Sequence, residues 1–233
     1  MTGAILAASH GTSSPEGRAA VRRLVDAVAS RSADAVVGCH VDVEQPDVPT
    51  ALASVASADQ ALIVPLLLSA GYHVYVDLAE SAAGAPLPAS VAPALGPDDR
   101  LAAVLELRLR EAGYRPGDAV VMAAAGSSDA RAVEDCHRQG ELLAHRLGVE
   151  VVVGFISAVA PSVASAVESA RSRHPGARVI LANYLLAPGY FADLAAASPA
   201  DVVAAPLLTP TSTPVQLVEV VLDRIAARAA LPA

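Results

Sequence analysis

Two histidines in the first half of this chain stand where chemistry is easiest to place. His10 follows an apolar run at 4–8, in Ser9-His10-Gly11-Thr12, and His73 follows a second run at 61–67, in Gly71-Tyr72-His73. A neutral imidazole coordinates borderline divalent metals and accepts a proton near neutral pH, so two of them at one end of a sheet suit metal handling or proton transfer. A single histidine there would more often cap a turn; the pair makes the chemical reading the stronger one. Asp42 and Glu44 close a third run, His40-Val41-Asp42-Val43-Glu44-Gln45-Pro46. Alternate residues of a strand share a face, so both carboxylates are expected to point into the crevice that the histidines flank. Two imidazoles with one or two carboxylates favour a borderline divalent ion over an oxygen-only Mg2+ site. The chain contains no HExxH, no phosphate loop and no dinucleotide GxGxxG.

The elements that must position these residues occur twice. Ile5-Leu6-Ala7-Ala8-Ser9-His10-Gly11-Thr12-Ser13-Ser14 aligns with Val120-Val121-Met122-Ala123-Ala124-Ala125-Gly126-Ser127-Ser128-Asp129, so His10 faces Ala125. Leu67-Leu68-Ser69-Ala70-Gly71-Tyr72-His73 aligns with Leu185-Leu186-Ala187-Pro188-Gly189-Tyr190-Phe191, so His73 faces Phe191. A repeat of this length is a repeated structural unit. In each copy, short Val/Ile/Leu/Ala runs alternate with helical patterns, which implies parallel strands covered on both faces and joined by right-handed crossovers. Strands are expected at 4–8, 36–43, 61–67 and 91–95, and again at 119–124, 150–156, 178–183 and 202–205. First-half helices are expected at 15–31, 48–57, 74–82 and 98–111. The expected fold is α/β: two pseudo-repeated domains, 1–114 and 115–233, each a four-stranded parallel sheet flanked by helices, with a cleft between them. Thr12-Ser13-Ser14 offers hydroxyl caps to the first helix, Pro15 suits its first position, and His10 falls at the strand-to-helix turn where open parallel sheets bind ligands.

Composition narrows the function classes. Of 233 residues 54% are apolar but only 3% aromatic, without tryptophan, so the core must be built from Ala, Val and Leu. No apolar stretch approaches the ~20 residues of a membrane span, and the N-terminus lacks a basic leader, so a cytoplasmic protein without membrane contact is expected. The net charge of −8 and the absence of a basic block argue against nucleic acid as a partner. Cys39 and Cys136 form no CxxC and are expected to be reduced thiols. His137, His145 and His174 lie on helical or turn patterns and read as surface residues, while His40 has at most a supporting role.

The segments Ala7-Ala8-Ser9-His10-Gly11-Thr12, Val41-Asp42-Val43-Glu44-Gln45-Pro46 and Val64-Pro65-Leu66-Leu67-Leu68-Ser69-Ala70-Gly71-Tyr72-His73-Val74 together resemble the sirohydrochlorin cobaltochelatase/ferrochelatase family. These are ATP-independent class II chelatases, and the duplicated frame is similar to their long two-repeat form. The resemblance implies insertion of Co2+ or Fe2+ into sirohydrochlorin, for cobalamin or siroheme synthesis, with the metal as substrate and no organic cofactor. It implies metal-binding and catalytic roles for His10 and His73, and a carboxylate at Asp42 or Glu44 near the metal. The loops Gly11-Thr12-Ser13 and Ser69-Ala70-Gly71-Tyr72 are expected to meet the tetrapyrrole, with Arg18 at the rim. A monomer is expected, because fused halves already provide a cleft. The alternative is a metal- or tetrapyrrole-binding protein without catalysis.

Overall fold

A computed structural model describes residues 3–69, 71 and 76–227. The first half runs β1 (Gly3–Ser9), α1 (Pro15–Ala29), β2 (Ala35–His40), α2 (Val48–Ser54), β3 (Gln60–Pro65), α3 (Asp77–Ala83), β4 (Ala89–Val91) and α4 (Asp99–Glu111). The second repeats it as β5 (Ala119–Ala124), α5 (Ala130–Leu147), β6 (Val151–Phe155), α6 (Val163–Arg173), β7 (Val179–Tyr184), α7 (Tyr190–Ala196), β8 (Val202–Val203) and α8 (Val215–Ala226). Each half builds one four-stranded parallel sheet, ordered β2-β1-β3-β4 and β6-β5-β7-β8. The fold is therefore the expected pair of helix-flanked parallel sheets. Among the described residues no helix is long and apolar enough to cross a membrane.

Side chains alternate across each strand, and the two faces feed different cores. Ile5 and Ala7 of β1, with Leu62 and Val64 of β3, enter a core shared by both halves that includes Val120, Met122, Phe155, Ile180 and Val221. Leu6, Ala8 and Ile63 face the other way, onto Leu52 and Leu78, and Val121 and Leu181 do the same in the second half, onto Val167. The shared core exists because the last helix of each half crosses over. Helix α4 packs on β7 and α5, and α8 packs on β3 and α1. Arg108 of α4, 2% exposed, donates to the Pro206 and Leu207 carbonyls. Arg224 of α8 donates to the carbonyls of Ala94 and Leu95. Each half thus completes the other's sheet covering.

Several boundaries differ from the expected ones. The strand expected at 36–43 ends at His40, because the chain doubles back: Val43 turns at φ 62°, and His40 N–H donates to Pro46 O. The strand expected at 91–95 lies at Ala89–Val91, and 202–205 shortens to Val202–Val203; both are edge strands with a ladder on one side. Helix α3 begins at Asp77, and residues 74 and 75 of the helix expected at 74–82 lie outside the described residues.

Candidate functional site

In the order β2-β1-β3-β4 the chain steps from β1 to one side and returns to the other, so the crevice at the carboxyl ends of β1 and β3 is a topological switch point, where open parallel sheets bind ligands. His10 leaves β1 there and is exposed. Ala8 pairs with Pro65, and the chain leaves β3 beside β1 on its way to His73. His73 itself, with Ala70 and Tyr72, lies outside the described residues.

The loop carrying His10 is built by a tight crossing with the turn after β2. Val41 N–H donates to Ser9 O and Asp42 N–H to His10 O, at 2.8 and 3.0 Å. Gly11 has φ 92°, and a Cβ there would lie 2.2 Å from Asp42 O, so only glycine fits the crossing. The second half repeats the arrangement: Ile156 and Ser157 donate to Ala124 and Ala125, Gly126 has φ 89°, and Ala158 turns at φ 66° as Val43 does. Both copies also enter the next helix through a cis X-Pro bond, Gln45-Pro46 and Ala160-Pro161.

The two candidate carboxylates are not equivalent. Since β2 has ended, positions 42 and 44 do not alternate as in a strand, and the expected shared face is not formed. Asp42 is exposed, with Oδ1 accepting Val43 N–H at 2.7 Å. Glu44 is turned inward instead. Its Oε1 accepts Thr12 N–H at 2.7 Å and lies 3.8 Å from His40 Nδ1, while Oε2 is 3.2 Å from Arg18 Nε. Arg18 Nε also donates to Thr12 O at 2.9 Å. His40 Nδ1 is 2.8 Å from Ser9 Oγ. Glu44, Arg18 and His40 therefore brace the backbone on either side of His10. This brace escaped sequence reasoning, yet a signal was available: Val159 and Val133 stand at the repeat positions of Glu44 and Arg18.

Thr12 and Ser13 divide similarly. Thr12 Oγ1 accepts Ser14 N–H at 3.1 Å, and Ser14 Oγ caps α1 by accepting Gly17 N–H. Ser13 stays exposed at the helix entrance. In the loop after β3, the Ser69 hydroxyl is hydrogen-bonded to Cys136 of α5. Gly71 lies against Ser127 and Ala132, at the entrance to α5. The carbonyl of Leu68 accepts from Tyr184 Oη at 2.9 Å, and Gly96 has no room for a Cβ beside that contact. The loop leading to His73 is thus held by the second half. Burial pushes the Cys136 thiol up to about 11, against the Ser69 hydrogen bond, and burial with the nearby Asp47 charge pushes Cys39 up to about 12. Burial thus favours the protonated, unreactive form of both thiols at neutral pH.

Among the described residues no group of three or more His, Cys, Asp and Glu side chains is arranged to hold a metal ion. His137 and His145 lie exposed on α5, and His174 is exposed beyond α6, beside a surface depression of about 510 Å³ lined by Arg171, Arg178 and Asp201, away from the His10 loop.

The CbiX family model matches the chain twice, at residues 4–112 and 119–226. No curated protein sequence matches it. Two solved structures share the fold over nearly the whole length. SirB from Bacillus subtilis with Fe3+ is 21% identical, with a TM-score of 0.79 over 99% of this chain and 96% of that one. The sirohydrochlorin chelatase SirB from Bacillus subtilis subspecies spizizenii, in complex with cobalt, is 18% identical, with a TM-score of 0.76 over 100% and 97%. A multi-domain protein of Deinococcus radiodurans with structural similarity to chelatases is 20% identical, with a TM-score of 0.67 over 97% of this chain and 54% of its own. With each half matched by the same family model and the whole chain sharing one architecture with SirB, the protein belongs to the CbiX family.

Proposed function

We propose that this protein is a sirohydrochlorin chelatase, inserting Co2+ or Fe2+ into sirohydrochlorin for cobalamin or siroheme synthesis, without ATP or an organic cofactor. It acts as a cytoplasmic monomer, with the macrocycle between the halves and the chemistry in the first, residues 1–114. Insertion exchanges one divalent cation for two pyrrole N–H protons, so the site needs a metal donor with a releasable grip and a nearby base. Neutral imidazole serves both purposes, and His10 and His73 share metal holding and proton removal. The exposed carboxylate of Asp42, one turn from His10, takes up released protons. Glu44 keeps the loop in place. Gly11, Thr12, Ser13 and the segment Ser69-Ala70-Gly71-Tyr72 line the approach of the macrocycle.

The observation that carries this reading is the exposed His10 at the switch point of the first sheet, on a loop whose backbone is otherwise internally braced, in a chain of the CbiX family. Family membership and the likeness to structures described as chelatases holding iron or cobalt support the metal and macrocycle assigned. The test is an anaerobic assay following loss of free sirohydrochlorin, run in parallel with Co2+ and Fe2+. Turnover beyond one equivalent per chain is expected, with at least a ~10²-fold slower rate in His10→Ala and His73→Ala. Unchanged rates in both variants would overturn the roles, and binding without turnover would leave a carrier rather than an enzyme.

A further inference from the structure

In the second half Ala125 and Phe191 occupy the repeat positions of His10 and His73. The contacts between halves are reciprocal. Gly189, just before Phe191, lies against Thr12, and a Cβ there would be 2.9 Å from Thr12 Oγ1. Pro188 O lies against Gly17 at the start of α1. The repeat-related contact joins Gly71 to Ser127 and Ala132. Exchanged contacts of this kind are those of a two-fold arrangement, and they set the turn bearing Phe191 against the first half's histidine loop.

That neighbourhood is unusually apolar for a surface. Among the described residues the exposed large apolar side chains are Val43, Leu107, Tyr190, Phe191, Leu194 and Val215. Three of these lie on the short helix α7, and Val43 tops the turn that crosses Gly11. Tyr190 is 70% exposed and Phe191 38%, with ring centroids 5.9 Å apart and planes tilted by 37°. Exposed aromatic rings grouped beside a polar loop offer a face on which a flat conjugated ring can stack.

We infer that Tyr190 and Phe191 form a bed for one face of the conjugated macrocycle, opposite the face that receives metal from the histidine half; this rests on the chelatase reading above. The loss of an imidazole at position 191 then has a chemical purpose. Cobalt or iron held in a macrocycle takes axial nitrogen ligands on either face. An imidazole from each half would grip the metallated product on both faces and slow its release, whereas Phe191 supplies contact without a ligand.

Steady-state insertion kinetics test the proposal. Tyr190→Ala and Phe191→Ala should each raise KM for sirohydrochlorin on the order of ten-fold, leaving KM for the metal and the thermal midpoint unchanged because both rings are exposed. Leu107→Ser, on the surface of α4, should change none of these. Phe191→His returns an imidazole to the position that faces His73 in the repeat, on the far face of the macrocycle. Its steady-state kcat should fall, with metallated product co-eluting with protein on gel filtration. Unchanged KM for sirohydrochlorin in both alanine variants would overturn the proposal, as would a fall in sedimentation mass with KM unchanged, which would mark a contact between copies. If the original protein inserts no metal, the chelatase reading fails on its own. Absorbance titration with metal-free sirohydrochlorin then decides the bed: weakened binding in the alanine variants sustains it, and equal binding removes it.

Discussion

Glu44 ties the turn after β2 to the loop that carries His10. The turn after β2 forms in both halves with the same backbone bond, Glu44 N–H to Asp42 O and Val159 N–H to Ser157 O. A carboxylate is therefore not needed to make the turn. What Glu44 adds is an acceptor for Thr12 N–H and a partner for Arg18, in the half that keeps its histidines. Arg18 is about half exposed, so solvent screens the ion pair and most of the value lies in the Thr12 hydrogen bond. Glu44→Ala should cost about 1 kcal/mol, the loss of a hydrogen bond to a part-buried donor. Glu44→Gln should cost less, because its amide oxygen still accepts. Urea unfolding of the two variants checks the order; an equal loss in both would show that charge, not acceptance, is what matters. The two histidine positions were legible at this scale, because their repeat partners are Ala125 and Phe191. The brace was not, because its members are joined only by the crossing of two loops.

Helices α4 and α8 join the two halves by packing against elements of the opposite one. Leu101, Val104, Leu105 and Leu109 of α4, like Leu217, Val218, Val220 and Val221 of α8, are all buried. Each helix covers the sheet of the opposite half. Leu217 is fully buried in the core shared by both halves. Leu217→Ala should therefore lower the stability of the entire chain by about 2–5 kcal/mol, with an unchanged urea m-value. A biphasic curve, in which only the second half melts early, would contradict the exchange. Arg108 belongs to the same logic: a charged group mid-stripe is buried because its guanidinium caps the Pro206 and Leu207 carbonyls and Ser212, with Glu111 balancing its charge.

For the molecule as a whole, a buried polar seam ties the halves together. Asp98 N–H donates to Gln139 Oε1 at 2.9 Å, Gln139 Nε2 donates back to Asp98 O, and Tyr184 Oη donates to Leu68 O. Burial, reinforced by the nearby Cys136, Asp135 and Asp98, raises the Tyr184 hydroxyl well above its ordinary value, so it remains a donor at any physiological pH. At Asp98 burial works upward, but the hydrogen bonds and charge of Arg100, with Arg224, hold the carboxyl below its usual range. A carboxyl lowered by folding stabilises the fold above its unfolded value of about 3.9 and loses that contribution as pH falls through the folded value. Asp98→Asn should therefore flatten the acid limb of the stability curve below about pH 4, read from urea midpoints against pH. A single unfolding transition, coincident in near- and far-ultraviolet circular dichroism, is expected from the shared core. The amino-acid sequence by itself determined the duplicated α/β frame, the parallel strands and the exposed turn bearing His10, because these rest on local periodicity and self-similarity. Tertiary structure alone decided which sheet each closing helix covers, which carboxylate turns inward and what holds the approach to His73. An apolar stripe reads the same whichever sheet it meets, and hydrogen bonds between distant loops leave no spacing to read.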